Sequence, residues 1–186
     1  ELKTFLDGLQ VKEELNIFQF LLFTGLRPSE AVCLTWADIT FSNGYIDVTK
    51  AKTDTAKQVE ITKTSKSRRR VKILKPCYDA LKAQQQITGL AGGLVFLNPR
   101  TGKAWLTGRL YKLWVKHLER LELKHRRMYQ TRHTYASMML SAGESVMWVS
   151  EQLGHSDWVM VARIYGKWIP DADLEAGSKG VNLFWS

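Results

Sequence analysis

Little in this sequence could cross-link, anchor or metallate it. Its 186 residues include only two cysteines, Cys33 and Cys77, each inside an apolar stretch, which excludes a disulfide framework and predicts buried thiols in a reducing compartment. The longest apolar run, residues 18–23, is interrupted by Gln19 and falls far short of the roughly 20 residues that a bilayer-crossing helix needs. The start at Glu1 has neither a Met nor a basic and apolar leader pattern, so the chain reads as a piece excised from a longer cytoplasmic protein. There is no Gly-rich phosphate loop, no nucleophile elbow, no Cys and His set at zinc spacing and no carboxylate cluster for a divalent cation. Internal repeats and low-complexity linkers are missing too. What remains is one domain over residues 1–186, with membrane insertion and secretion disfavoured and metal-free chemistry expected.

Positive charge and apolar side chains are the abundant components. Lys and Arg number 27 against 18 Asp and Glu, a formal net charge of +9, while 45% hydrophobic residues and seven Trp suffice for a substantial core. The charge is unevenly spread. No acid occurs between Glu60 and Asp79, where Lys63, Lys66, Arg68, Arg69, Arg70, Lys72 and Lys75 crowd together. A second basic stretch runs from Arg109 to Arg132 and includes Arg126 and Arg127, relieved only by Glu119 and Glu122. Either run alone reads as a solvated face, but two of them point to a nucleic-acid surface.

Apolar residues at helical spacing predict two amphipathic helices within the first 24 residues, the second ended by Gly25. Pro28 then opens a short helix, and Arg27 projects from the junction. Asn43-Gly44 between β-type segments is a strong hairpin signal, and the alternating pairs Val59, Ile61 and Val71, Ile73 predict a second hairpin with a cationic loop. Helices are expected over residues 76–86, 109–121, 131–141, 145–153 and 158–168, with a short strand at residues 94–96. The fold class is therefore α+β: mainly helical, with a small antiparallel sheet of three or four strands.

Against this background an ordered series stands out: Thr24-Gly25-Leu26-Arg27-Pro28-Ser29-Glu30, Lys63 on the basic hairpin, Tyr129-Gln130-Thr131-Arg132-His133-Thr134, Leu153-Gly154-His155-Ser156-Asp157, and Tyr165. The series resembles the catalytic domain of the tyrosine recombinase (phage integrase) family, and within it the integrases of temperate phages and genomic islands. That family's pattern is an Arg in a TGLR-type turn, a hairpin Lys, a His-x-x-Arg helix start, a His or Trp in an LGH-type turn, and a nucleophilic Tyr. The resemblance implies cutting and rejoining of double-stranded DNA at attachment sites through a 3′-phosphotyrosyl intermediate, without metal or nucleotide cofactor. It also implies a homo-tetramer in the synaptic complex, with a monomer possible for the isolated domain, and accessory DNA-bending or excision factors. An upstream DNA-binding domain is usual in the family and is missing from this chain. Two other readings stay open: an inactive DNA-binding module of the same fold, and a type IB topoisomerase-like strand transferase.

The residue chemistry suits the implied roles. Arg27 and Arg132 can grip the non-bridging oxygens of a phosphodiester with paired, charge-assisted hydrogen bonds. A cation beside a helix N-terminus is electrostatically unfavourable, which makes Arg27 suggestive of a bound anion. Lys63 suits protonation of the departing 5′ oxygen, with Lys66 as a rival, while Arg68, Arg69, Arg70, Arg126 and Arg127 suit contacts to the phosphate backbone. His155 can hydrogen-bond a phosphate oxygen, and Tyr165 is the nucleophile that the resemblance implies. Two features depart from the pattern. Tyr129 stands where the family most often has His, and a phenol with a pKa near ~10 donates hydrogen bonds but is a poor base. Tyr165 also follows His155 at a slightly longer spacing than usual, which predicts a small irregularity before the nucleophile. His133, next to Arg132, is expected to face another way and to play a supporting or structural part, and Glu30 to orient Arg27. The resemblance also implies that the apolar residues after Trp168 pack on a neighbouring protomer in the synapsed state.

Overall fold

The computed structural model describes residues 1–52, 60–61, 68–155 and 157–168. Lys63, Lys66 and the segment after Trp168 lie outside the described residues. Helices α1 (Leu2–Asp7), α2 (Lys12–Thr24) and the single turn α3 (Pro28–Ala31) are followed by strands β1 (Ile39–Thr40), β2 (Tyr45–Val48), β3 (Lys50–Ala51), β4 (Glu60–Ile61) and β5 (Arg69–Lys72). Then come α4 (Lys75–Thr88), α5 (Thr107–Arg120), α6 (Gln130–Ser141), α7 (Val146–Leu153) and α8 (Trp158–Tyr165), with a 3₁₀ turn at Gly166–Trp168. Among the described residues no helix is long and apolar enough to cross a membrane.

Helix α2 is apolar on most sides because it is the central element: Ile17, Phe18, Phe20 and Leu21 are fully buried. It is tied to α4 by the buried Asn16 to Gln84 hydrogen bond of 3.0 Å, and to α5 by the buried Glu14 and His117 pair at 2.8 Å. Phe5, Phe18 and Trp114 close the core between α1, α2 and α5. A second, smaller core is built by α6, α7 and α8 from Tyr135, Ala136, Leu140, Val149, Leu153, Val161 and Tyr165. Gly25 joins the two cores. It ends α2 in the left-handed conformation at φ 64°, and a Cβ there would stand 2.6 Å from the Tyr135 ring and 2.8 Å from Leu153. Cys33 and Cys77 are buried and unpaired, as expected.

The first hairpin forms as the Asn-Gly signal predicts, with Ile39 opposite Ile46. The second does not. Strand β5 pairs antiparallel with β2, placing Val71 against Ile46, while β4 pairs with β3, so the described strands form one three-stranded sheet and one two-stranded ribbon. The buried apolar face of β2, with Ile46 and Val48 inward, is what recruits Val71 and with it β5. Residues 94–96 make only an isolated bridge, Thr35 to Leu94, instead of a strand. Helix α8 runs without a break from Trp158 to Tyr165 and tightens to 3₁₀ after it, so no kink interrupts the helix before the tyrosine; Ser156, in the stretch between His155 and α8, lies outside the described residues.

Candidate active site

The candidate site lies where the Gly25 turn, the start of α6, the end of α7 and the last turn of α8 meet. Arg27 is in extended conformation immediately before α3, and Glu30, one helical turn later, folds back on it. One Glu30 carboxylate oxygen accepts from the Arg27 backbone N–H at 2.8 Å and the other from the Arg27 guanidinium at 3.0 Å. The Arg27 side chain keeps 33% exposure, whereas Glu30 has 2%. Glu30 therefore orients Arg27, as the sequence predicts, from a fixed and buried position.

Arg69 is a correction. Read as a backbone-phosphate contact, it is instead buried, with 5% of its side chain exposed, and grips both Glu30 oxygens through Nη1 and Nη2 at 2.9 Å each. Its Nε donates to the Gln152 carbonyl at 2.7 Å, while the Gln152 side chain accepts from the Lys72 N–H at 2.8 Å. Strand β5 is thereby fastened to the end of α7. Burial alone raises the pKa of the Glu30 carboxyl, but hydrogen bonding and charge from Arg69, with help from Arg27, hold it below its ordinary value. Arg68 and Arg70, by contrast, are exposed; Arg70 meets Asp47 across the β2–β5 ladder at 3.1 Å.

Arg132 is the most deeply buried charge at the site, at 1% exposure. Its partners are the carbonyls of Gly25, at 2.8 Å, and Leu153, together with the imidazole Nε2 of His155 at 3.2 Å. Both carbonyls lie at helix ends, where backbone acceptors lack intrahelical partners. No carboxylate is paired with it among the described residues. Burial, reinforced by the charge of Arg27, lowers its pKa to about 10, so it remains a cation at neutral pH. His155 follows the left-handed Gly154, and burial and then the charge of Arg132 push it down to about 4. It is therefore neutral, and accepts from Arg132.

Tyr165, with 2% exposure, reaches the site from α8. Its hydroxyl lies 2.5 Å from Nδ1 of His133, which faces another way than Arg132, as expected, and there meets α8. Burial raises the Tyr165 pKa to about 12, with Arg132 acting in the opposite direction. Tyr129 is 41% exposed and meets the His133 ring edge-on at 5.3 Å. With Arg27, Tyr111, Arg127 and the first residues of α5 it lines an open cleft of about 510 Å³. Arg126 is not in that cleft; it turns the other way and meets Glu1 at 2.7 Å. The described residues thus bring together Arg27, Tyr129, Arg132, His155 and Tyr165, and add Glu30, Arg69 and His133. No group of three or more His, Cys, Asp or Glu stands where it could hold a metal among the described residues.

The model of the phage integrase family matches residues 2–168. The chain is 28% identical to the prophage integrase IntR of Escherichia coli over 183 residues, covering 86% of this chain and 44% of that protein. It is 30% identical to a XerC-like tyrosine recombinase of Caldanaerobacter subterraneus over 219 residues, covering 99% of this chain and 55% of the relative. It thus spans about half the length of the curated relatives it matches. Among solved structures, the Tn1549 transposon integrase in complex with circular intermediate DNA has the same fold, with a TM-score of 0.72, 22% identity, and coverage of 98% of this chain and 64% of that one.

Proposed function

Because the chain belongs to the phage integrase family, we propose that it is the catalytic domain of a site-specific DNA recombinase that cleaves and rejoins strands through a phosphotyrosyl bond on Tyr165. One observation carries this reading: a fully buried guanidinium, Arg132, is held only by two carbonyls and a neutral imidazole among the described residues, beside a buried tyrosine hydroxyl. Of the three guanidinium groups here, Arg27 and Arg69 share the Glu30 carboxylate while Arg132 pairs with no carboxylate among the described residues, and a buried cation without an anionic partner is costly unless one arrives. A phosphodiester supplies that anion.

Arg132 at the floor and Arg27 at the rim bind its non-bridging oxygens, whose charge grows as the Tyr165 oxygen attacks phosphorus. His155 keeps Nδ1–H as a further donor while Nε2 accepts from Arg132. Lys63, outside the described residues, or its rival Lys66, protonates the leaving 5′ oxygen. Tyr129 donates to the phosphate from the cleft side. Arg68, Arg70 and Arg127 contact backbone phosphates, so affinity for duplex DNA falls steeply with salt. The substrate is an attachment-site duplex in the cytoplasm, engaged by a tetramer with accessory factors and with an upstream DNA-binding domain.

The test is covalent capture. A pool of nicked duplexes with randomised sequence is incubated with the chain, and denaturing gels separate protein-linked strands. Wild type forms the adduct; Tyr165→Phe, which loses only the nucleophilic oxygen, binds but forms none. No adduct from wild type, or an equal one from Tyr165→Phe, removes the reading.

A further inference from the structure

We propose that His133 is the base that takes the phenolic proton from Tyr165 as the nucleophile attacks. The inference rests on Tyr165 being the nucleophile, and it assigns a role that the Arg, Lys, His-x-x-Arg, His, Tyr pattern does not contain. Tyr165 is buried, so bulk water does not reach its hydroxyl to carry the proton away, and an acceptor within the protein is required. Three groups of the site are the candidates to weigh. Tyr129 occupies the place of the pattern's His but is itself a phenol, with no proton-accepting capacity at neutral pH. The Nε2 lone pair of His155 is already engaged by Arg132 at 3.2 Å. His133 remains, with Nδ1 2.5 Å from the hydroxyl oxygen and the two rings 5.6 Å apart.

Helix geometry explains how one segment serves both halves of the reaction. Successive residues of an α-helix are separated by about 100°, so Arg132 and His133 diverge. Arg132 enters the gap between the Gly25 turn and the end of α7, while His133 meets the last turn of α8. Among the described residues, the charged and titratable groups that act on or touch His133 are Arg132 and Tyr129 from α6 and its cap, Tyr165 from α8, and His155 from the turn between α7 and α8. Burial, and then the Arg132 charge, hold the His133 imidazole below its ordinary value, so at neutral pH it is unprotonated and accepts from the phenol.

The step balances. The Tyr165 O–H bond breaks and an Nδ1–H bond forms; the phenolic oxygen bonds to phosphorus; the P–O5′ bond breaks; and the 5′ oxygen takes a proton from the general acid. In rejoining, the 5′ hydroxyl returns its proton to the general acid as its oxygen bonds to phosphorus; the phosphotyrosyl P–O bond breaks, and the departing Tyr165 oxygen recovers its proton from Nδ1.

The test uses a nicked duplex recovered from the randomised pool by wild-type capture, with adduct formation followed in single turnover. His133→Ala is expected to slow the adduct by about 100-fold or more, the range of general-base catalysis, with duplex binding unchanged across a salt series. His133→Asn, which accepts a hydrogen bond but cannot take the proton, stays comparably slow. Free imidazole revives the Ala variant, and the revived rate rises with pH through the imidazole's ~6.5. A duplex with sulfur at the bridging 5′ position, whose leaving thiolate needs no acid, leaves the defect in place. An Asn variant at the wild-type rate, or an Ala variant that imidazole does not revive, overturns the base. An adduct from Tyr165→Phe overturns the nucleophile itself and is a separate failure.

Discussion

Two buried arginines meet at the end of α7, and they are not alike. Arg69 at the start of β5 faces the Glu30 carboxylate through both terminal nitrogens. Arg132 in the first turn of α6 faces carbonyls and an imidazole. A buried cation matched by a carboxylate is internally satisfied and holds structure together; one matched only by neutral acceptors keeps attraction for an anion from outside. Burial by itself therefore does not distinguish scaffold from site. The partner does.

The largest expected effect tests that contrast through stability. Arg69→Met leaves Glu30 buried with Arg27 alone, and breaking a buried pair typically costs about 3–5 kcal/mol. Arg132→Met removes a charge with no carboxylate partner among the described residues and orphans two carbonyls, so its cost should be less than half as large. Urea unfolding of both variants measures the difference, and equal losses would erase the distinction.

Activity should invert the order. Arg132→Lys keeps the charge but cannot span two carbonyls and two phosphate oxygens, and losing such a transition-state donor costs ~10²- to 10³-fold in rate. Arg27→Lys should behave similarly. Single-turnover cleavage near the wild-type rate for Arg132→Lys would break the assignment.

Acid should dismantle the two arginine environments in sequence. His155 is held near 4 against an ordinary 6.5, so its contribution is complete above 6.5 and is lost as pH falls from 6.5 towards 4. His133, also lowered, acts in the same sense. Glu30 is held below 4.5, so the Arg69 pair persists until pH falls below that value. Urea midpoints measured across this range should decline in two stages, and His155→Gln should flatten the upper one. A midpoint independent of pH between 6.5 and 4.5 would contradict the placement of the imidazole against Arg132.

The same contrast shows what the sequence made legible. Arg27, Arg132, His155 and Tyr165 carry their turn and helix-start signals locally, and the fold gathers them. Arg69 was obscured by its company, since a run of basic residues reads as solvated. A strand alternates faces, however, and Val71, fully buried, lies two residues on from Arg69, so the period that places Val71 inward also places Arg69 inward and leaves Arg70 and Lys72 outside. His133 was missed for the converse reason. Its rotation away from Arg132 is real, but no local pattern says that α8 arrives on that side. The pairing of β4 with β3 was hidden as well, because register between short strands depends on tertiary burial that alternation alone cannot specify.

Tyr129 is the smallest and most exposing case, because it sits at the edge of the Arg132 environment with 41% of its surface open and shares the cleft with Arg27. If the unmatched cation draws a phosphate to that cleft, the phenol donates one neutral hydrogen bond to it. Tyr129→Phe keeps the ring, and with it the edge-on contact to His133, while deleting the donor. Cleavage of a nicked duplex should slow by ~10-fold, about 1.4 kcal/mol, comparable to one hydrogen bond. Tyr129→His restores a donor at the place where the family pattern has His and should retain substantial activity, with a new pH dependence near ~6.5 from the added imidazole. If Tyr129→Phe instead cleaves as fast as wild type in single turnover, the ring serves only to pack against His133, and the phosphate is held by the arginines and His155 alone.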